Sequence, residues 1–291
     1  MHNFRSFVPI FEVSSKIYCT RFEKYPSKLD ISRSFVTIFA DKSQQMKITI
    51  IQQDIVWNDV AANVARLEEL VRSAEKADLY LFPEMCTTGF CMHPQGVAEE
   101  PDGVAVQVMK RLAVEFDAAM AVPVMTHEDG KYYNRMYLIT PEGVVGHYDK
   151  CNLFEYSGED KVFEPGKEKV IWEWRGVRLR PAICYDLRFP VFLYCKGEYD
   201  VLLMSANFPD SRLLAWDTLV RARAIENMCY VAASNRVGND EYGTYSGHSV
   251  ILNPYGEEIA ACEPSLQGTA TAELDDEMIA KMRGYKKMYK H

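Results

Sequence analysis

Three polar residues of very different chemistry each follow an apolar segment of the sequence. Glu84 ends the segment LYLFPE, Lys150 ends VVGHYDK and Cys184 ends RLRPAIC. In α/β proteins the ends of strands present side chains to a shared crevice, so residues that are distant in sequence can meet there. The sequence therefore predicts a carboxylate, an amine and a thiol in one site.

Together these groups could hydrolyse a carbon–nitrogen bond. A cysteine thiol has an ordinary pKa of about 8.5 and is mostly protonated at neutral pH, so Glu84 as a neighbouring base would activate Cys184. Attack on a carbonyl or nitrile carbon creates negative charge, which the Lys150 ammonium and the backbone N–H of Tyr185 could hold. Protonated Glu84 could then return its proton to ammonia and activate water against the thioester.

Each of these residues also has a purely structural interpretation. A single cysteine on a strand usually packs as a small hydrophobe, Glu84 could cap a loop after its proline, and Lys150 could be a solvated charge. For Asp186 and Arg188 we expect a structural ion pair rather than a catalytic role. Packing or harmless exposure is expected for the other cysteines, which are Cys19, Cys86, Cys91, Cys151, Cys195, Cys229 and Cys262.

Several common signatures are absent from the sequence. It contains no GxGxxG, GxxxxGK[ST], GxSxG or HExxH motif, so dinucleotide-binding, P-loop, serine-hydrolase and zincin functions lose their usual support. Its six histidines lie far apart along the chain, and their spacing predicts no metal site. Folding could still bring metal ligands together, but nothing in the spacing of these residues indicates a metal site.

The segments that contain these residues alternate between strand and helix patterns. Apolar residues recur at helical spacing after position 59, with Asn58 or Asp59 as a plausible N-cap. Turn signals at Asp129-Gly130, at 141–143 and at Arg175-Gly176 predict hairpins. Because several strands are too apolar to face water, the sequence predicts an α/β fold of two packed sheets with helices on both outer sides.

Composition narrows the class of protein further. The chain has 291 residues, 48% of them hydrophobic, with a formal charge of -8 and a pI near 5.4. This charge is unfavourable for binding nucleic acid, which requires clustered Lys and Arg. We find no apolar stretch of the roughly 18 residues that a membrane helix needs, and no CxxC pair among the cysteines. A soluble, cytoplasmic protein without membrane or nucleic-acid partners is expected.

Residues 1–45 differ in composition from the rest of the chain. They contain seven Lys or Arg against four Asp or Glu, whereas MKITIIQQDIVW, from Met46, reads as a first strand. A flexible extension and a targeting segment are two interpretations of this stretch. Our preferred interpretation is an upstream stretch that precedes a true start at Met46, because its acidic residues do not suit a transit peptide.

Four segments in order along the chain resemble the nitrilase (carbon-nitrogen hydrolase) superfamily. They are LFPEMCTTGF, YDKCNLF, PAICYDLRFP and RARAIENMCYVAASNRVG, and the similarity is greatest to the omega-amidase branch. The resemblance implies a single carbon-nitrogen hydrolase domain over residues 46–291, folded as a four-layer αββα sandwich. It also implies a cofactor-free site and a homodimer or larger homo-oligomer.

The resemblance assigns catalytic roles to residues that match its motifs. Glu84, Lys150 and Cys184 correspond to the catalytic Glu, Lys and Cys of the family. A second active-site glutamate is expected after the lysine motif, where Glu159 has the favoured spacing to Pro165-Gly166. The candidates that remain in this segment, Glu155 and Glu164, are expected to be surface charges.

The same resemblance implies a substrate class. Omega-amidases hydrolyse the side-chain amide of 2-oxo dicarboxylic acid monoamides such as 2-oxoglutaramate and 2-oxosuccinamate, releasing ammonia. Arg212 is our candidate for the substrate carboxylate, with a surface arginine at a helix start as the alternative. Tyr185 and Phe208 are expected in the pocket, although Phe208 replaces the usual Trp. Nitrile, N-carbamoyl or deaminated peptide amide substrates, and a non-catalytic oligomeric thiol sensor, remain alternatives.

Overall fold

A computed structural model describes residues 45–288 of the protein. Within this range there are fourteen strands and five α-helices. The strands are β1 (Lys47–Gln52), β2 (Leu79–Leu81), β3 (Ala119–Glu128), β4 (Lys131–Thr140), β5 (Gly143–Asp149), β6 (Trp172–Trp174), β7 (Val177–Ile183), β8 (Val201–Ala206), β9 (Tyr230–Asn235), β10 (Val237–Asp240), β11 (Gly243–Ser246), β12 (Val250–Leu252), β13 (Glu258–Ala261) and β14 (Gly268–Glu273). The helices are α1 (Val60–Ser73), α2 (Val104–Phe116), α3 (Pro190–Leu193), α4 (Leu213–Asn227) and α5 (Asp276–Met288).

Two six-stranded sheets form the centre of the fold. The first has the strand order β14-β1-β2-β3-β4-β5, and the second has the order β13-β12-β9-β8-β7-β6. In each sheet three central strands are parallel, namely β1, β2 and β3 in the first and β7, β8 and β9 in the second. Strands β14 and β4 in the first sheet and β12 and β6 in the second pair antiparallel with them, and β5 and β13 extend the sheets beyond β4 and β12. The carboxyl ends of the parallel strands therefore lie at one edge of each sheet.

The alternation of side chains along each strand creates three apolar layers. Ile48 and Ile50 of β1 point into a core shared with Leu179 and Leu203 of the second sheet, whereas Ile51 packs on the opposite face. This follows from the period of two in a strand. The outer layers are filled from α1 and α2 on the first sheet and from α4 on the second. The predicted four-layer αββα arrangement is confirmed.

The first helix follows its sequence pattern closely. Asp59 is the N-cap, and its side chain accepts a hydrogen bond from the backbone N–H of Ala62 at 3.0 Å. Such a bond satisfies one of the free amides of a first helical turn. Three leucine and valine positions of the predicted stripe, Leu67, Leu70 and Val71, are buried. The structure therefore selects Asp59 over Asn58.

Several elements were not anticipated from the sequence. They are helices α2, α3 and α5 and the hairpin formed by β10 and β11. Helix α5 is attached to the second sheet by Arg283, whose guanidinium donates to Asp200 at 2.9 Å and 2.5 Å. No helix among residues 45–288 is both long and apolar enough to span a membrane. Our expectations for residues 1–44, including Cys19, lie outside the described residues.

Candidate active site

The ends of two strands of the first sheet bring Glu84 and Lys150 into direct contact. Glu84 lies shortly after β2 and Lys150 immediately follows β5. The Nζ atom of Lys150 is 2.9 Å from Oε1 of Glu84, and both side chains are fully buried. A solvated Lys150 is therefore a wrong interpretation.

Glu159 joins this pair from a short 3₁₀ helix, Glu159–Lys161. Its two carboxylate oxygens accept from Lys150 at 3.0 Å and 2.9 Å, and Oε2 also accepts from the backbone N–H of Phe154 at 2.6 Å. Glu159 is fully buried. Glu155 and Glu164 are exposed, so among the three glutamates of this segment only Glu159 reaches the cluster.

Asn134, in the middle of β4, connects the two carboxylates. Its Nδ2 atom donates to Oε1 of Glu84 at 2.8 Å and to Oε1 of Glu159 at 3.0 Å. The side chain is buried. Sequence reasoning missed this residue, although a polar residue inside the otherwise aromatic and apolar run YYNRMYLIT was an available signal.

Asn207, just after β8, holds Glu84 from the second sheet. Its backbone N–H donates to Oε2 of Glu84 at 2.9 Å, and its Nδ2 donates to the backbone carbonyl of Glu84 at 2.7 Å. The Glu84 carboxylate thus receives hydrogen bonds from Lys150, Asn134 and Asn207. These bonds fix the carboxylate across the junction between the two sheets.

Cys184 occupies a sharp turn between β7 and a 3₁₀ helix, Cys184–Arg188. Its φ angle of 47° lies in the left-handed region, which a residue other than glycine adopts at an energetic cost and mostly where a functional group must be presented. Burial raises the pKa of the Cys184 thiol, the charge of Glu84 raises it further, and Lys150 only partly opposes this. The resting thiol is therefore protonated, beside a carboxylate that can accept its proton.

The charge balance of the cluster keeps Lys150 as an ammonium. Burial lowers the pKa of Lys150, but the charges of Glu159 and Glu84 more than offset this, so the pKa lies above its ordinary value. Burial raises the pKa of Glu159, and the Lys150 charge opposes that rise. A fixed, desolvated positive charge is suited to stabilising developing negative charge.

Asp186 and Arg188 do not form the predicted ion pair. Asp186 is buried and accepts from the Tyr148 hydroxyl at 2.6 Å, the Ile183 N–H at 2.9 Å and both nitrogens of Asn152. Its hydrogen bonds therefore brace the turn that presents Cys184. Arg188 is exposed and lines the adjacent pocket instead. The prediction failed because adjacent charges on a tight turn point in different directions.

A pocket of about 340 Å³ opens onto Cys184. The three residues predicted to contact substrate, Tyr185, Phe208 and Arg212, all line it. The guanidinium of Arg212 stacks 4.8 Å from the ring centroid of Phe154. Arg188 also lines this pocket, a position that sequence reasoning did not predict for it. Neither the Arg212 guanidinium nor that of Arg188 forms an ion pair with any of residues 45–288. The pocket therefore presents two uncompensated positive charges.

The wall opposite these arginines comes from the unanticipated hairpin of β10 and β11. Tyr242 and Tyr245 of this hairpin line the pocket, and Asp240 accepts from the Tyr245 hydroxyl at 3.1 Å. Asp240 is itself paired with the buried Arg236 at 2.6 Å.

Within residues 45–288 no group of three or more His, Cys, Asp or Glu side chains could hold a metal ion.

Comparisons with known proteins agree with this fold. The sequence profile of the family described as carbon-nitrogen hydrolase matches residues 47–284. The omega-amidase YafV of Yersinia enterocolitica is 40% identical over 82% of this chain and 93% of its own length, and a 2-oxoglutaramate amidase of Bacillus subtilis is 33% identical over 81% and 93%. The crystal structure of a CN-hydrolase superfamily protein from Xanthomonas campestris, with an arsenic adduct in its active site, has a TM-score of 0.79 at 34% identity, covering 83% of this chain and 94% of that one. The chain therefore belongs to the carbon-nitrogen hydrolase family, as a hydrolase of its omega-amidase branch.

Proposed function

We propose that the protein hydrolyses the omega-amide of 2-oxo dicarboxylic acid monoamides, such as 2-oxoglutaramate and 2-oxosuccinamate, through a thioester on Cys184. The observation that supports this most strongly is the combination of Cys184 and two guanidinium groups without ion-pair partners, Arg188 and Arg212, in one pocket above the buried Glu84–Lys150 pair. Amide cleavage needs the Cys184 nucleophile, and recognition of a carboxylate needs the guanidinium groups. Similarity to the omega-amidase and the 2-oxoglutaramate amidase supports the same substrate class.

In the first step the thiol proton moves to Glu84 as sulfur attacks the amide carbon. An S–C bond forms, and the carbonyl electrons move to oxygen. Lys150 and the backbone N–H of Tyr185 would hold the resulting oxyanion. Glu84 is the base for this proton transfer, because its carboxylate lies beside the protonated thiol.

In the second step the oxyanion collapses and the C–N bond breaks. The nitrogen takes the proton from Glu84 and leaves as ammonia, while the acyl group remains on Cys184 as a thioester. Glu84, again ionised, then removes a proton from water as the water attacks the thioester carbon. The S–C bond breaks, the thiol regains the proton, and the products are the dicarboxylate and ammonia.

Binding of the substrate's distant carboxylate is assigned to the arginine side of the pocket. A planar guanidinium forms paired hydrogen bonds with a carboxylate. Arg212 is held in place by its stacking on Phe154 and by its position 5.7 Å from the ring centroid of Phe208. Replacing Arg212 with Met should raise KM for 2-oxoglutaramate at least tenfold and leave KM for an uncharged amide nearly unchanged.

A nitrile or another amide remains the alternative substrate class, with the same nucleophile. An uncharged nitrile would leave both guanidinium groups without a partner, which disfavours it. An N-carbamoyl compound with a carboxylate would satisfy them and is separated from the first class only by rates. A non-catalytic thiol sensor is disfavoured because Glu84, Lys150, Glu159 and Cys184 are all present.

Ammonia release from 2-oxoglutaramate, glutamine and a simple nitrile tests the proposal. We expect rapid release from the 2-oxo amide, and loss of release in Cys184→Ala with an unchanged thermal unfolding temperature. Cys262→Ala is the control and should retain activity, because Cys262 is a buried cysteine that follows the edge strand β13 and does not line the pocket. Full activity of Cys184→Ala would refute the thioester mechanism.

We also propose a homo-oligomer located in the cytoplasm. Val191 of α3 and Leu214 of α4 are 90% and 81% exposed, and covering these apolar side chains with a second copy would remove them from water. The seven cysteines among the described residues are all free thiols, as suits a reducing compartment. Sedimentation velocity of the wild type and of Leu214→Glu tests the assembly; a monomeric wild type would refute it.

A further inference from the structure

The side chain of Asn207 has one polar atom that the protein leaves unpaired. Its Nδ2 donates to the Glu84 carbonyl at 2.7 Å. Its Oδ1 is buried and has no hydrogen-bond partner among residues 45–288. An unpaired buried acceptor is destabilising, because it has lost its hydrogen bonds to water without gaining another. Such an atom beside a nucleophile calls for a donor that arrives from outside the protein.

The orientation of this amide is fixed by chemistry. The partner of Nδ2 is a backbone carbonyl oxygen, which can only accept hydrogen bonds. Exchanging the amide nitrogen and oxygen of Asn207 would set two oxygens against each other, so Oδ1 must point away from Glu84. Asn207 lines the same pocket as Cys184, and the free acceptor therefore belongs to the reaction site.

A second asparagine at the end of the next strand provides a comparison. Asn235 ends β9, and its Oδ1 accepts from the backbone N–H groups of Phe208 and Arg236 at 2.8 Å and 3.0 Å. Its Nδ2 donates to two carbonyl oxygens. All of its hydrogen-bonding groups are used within the protein. Asn235 is therefore structural. Asn134 also has an unpaired Oδ1 but does not line the pocket, whereas Asn207 does.

We propose that Oδ1 of Asn207 accepts a hydrogen bond from the amide nitrogen of the substrate. The inference rests on the proposed amide hydrolysis. A primary amide has two N–H groups; one donates to Oδ1, which fixes rotation of the nitrogen so that its lone pair faces the proton on Glu84. When the C–N bond breaks, the nitrogen leaves with its two hydrogens and the proton from Glu84, as ammonia. Asn207 thereby selects a nitrogen leaving group over an alcohol.

The test compares an amide with the methyl ester of the same acyl group. The leaving oxygen of the ester has no hydrogen to donate, so Oδ1 contributes nothing to its hydrolysis. We expect Asn207→Ala to lower kcat/KM for the amide about tenfold or more relative to kcat/KM for the ester. The ratio of kcat/KM values is informative because it reports acylation for both substrates.

Loss of the bond to the Glu84 carbonyl would lower both rates equally and leave the ratio unchanged. Asn235→Ala is the control, and its ratio should equal that of the wild type. If Asn207→Ala does not fold, Asn207→Ser replaces it, because the shorter serine side chain also removes the acceptor at the position of Oδ1. The same fall in the amide-to-ester ratio of kcat/KM is expected.

An unchanged ratio in a folded Asn207 variant would overturn the inference and leave the proposed function intact. A wild type that is silent on 2-oxoglutaramate but hydrolyses another amide would overturn the proposed substrate alone, and that amide and its ester then give the ratio. A wild type that hydrolyses no amide overturns both.

Discussion

Replacing Glu159 with Gln removes one charge from the centre of the site and leaves its shape. Glu159 and Glu84 both lie 2.9 Å from the Lys150 ammonium. In Glu159→Gln the ammonium keeps one carboxylate, so it is drawn toward Glu84. It then competes with the thiol for the base and moves away from the oxyanion. Glu159 is thus a positioning residue.

The size of the effect follows from the geometry. Two unit charges about 3 Å apart attract by about 6 kcal/mol at an effective dielectric constant near 20, and most of this is offset by desolvation. Removing one partner of a buried ion pair costs about 3–5 kcal/mol, and the low end applies because Lys150 retains Glu84. A misplaced oxyanion donor costs about 2.7–4 kcal/mol in the transition state. We therefore expect kcat to fall by about 10²- to 10³-fold with little change in KM.

Steady-state ammonia release and chemical denaturation of the same preparations measure both effects. Glu155→Gln and Glu164→Gln are the controls. They make the same substitution at exposed positions of the same segment, so both variants should have wild-type kcat. Glu159→Asp keeps the charge and should recover part of kcat. The reasoning is refuted if folded Glu159→Gln retains more than about a third of wild-type kcat, or if its loss appears in KM alone.

Two further predictions concern stability. Burial raises the pKa of Asp200, but hydrogen bonds from two arginines lower it to about 2, below the unfolded value of about 3.9. Above pH 4 the free energy of unfolding of the wild type should therefore exceed that of Asp200→Asn by about 1–2 kcal/mol. Acid titrations of unfolding should show this difference vanish as the pH falls toward 2. A difference that does not depend on pH would contradict the argument. Arg180 and Arg236 are both fully buried, but only Arg236 has a carboxylate partner, Asp240, and two nitrogens of Arg180 have no partner among the described residues. Urea denaturation should give a loss of about 3–5 kcal/mol for Arg236→Met and of less than about 1 kcal/mol for Arg180→Met, and the reverse order would refute the argument.

The sequence predicted the layers of this fold because hydrophobic periodicity and turn residues are local signals. Hydrophobic periodicity predicted helix α1, and turn residues predicted the hairpin at Asp129-Gly130. Helix α2 was missed because it begins after Gly103 without a side-chain cap. The β10–β11 hairpin was missed because each of its four-residue strands has only one buried residue and so shows no apolar alternation.

The catalytic candidates were predicted from strand ends and from motif resemblance, and the structure places them as neighbours. What the sequence could not supply is direction. The charges at Asp186 and Arg188 read as a pair, but the turn at Cys184 sends one inward and the other into the pocket. Asn134 and Asn207 were missed because only the assembled sheets show which carboxylate each one meets.

The pairing of β1 with β14 has a consequence for the order in which the protein matures. Lys47 lies opposite Glu273 and Gln52 opposite Gly268, so the first sheet gains its edge strand only when nearly the whole chain has left the ribosome. Contacts of such long sequence separation form slowly, because a large loop must close first. Until then β1 is an open edge, able to pair with a neighbouring chain. Nascent chains halted before residue 268 should accordingly depend on chaperones. A C-terminal truncation that removes β14 should lower solubility, although it leaves every candidate catalytic residue in the chain.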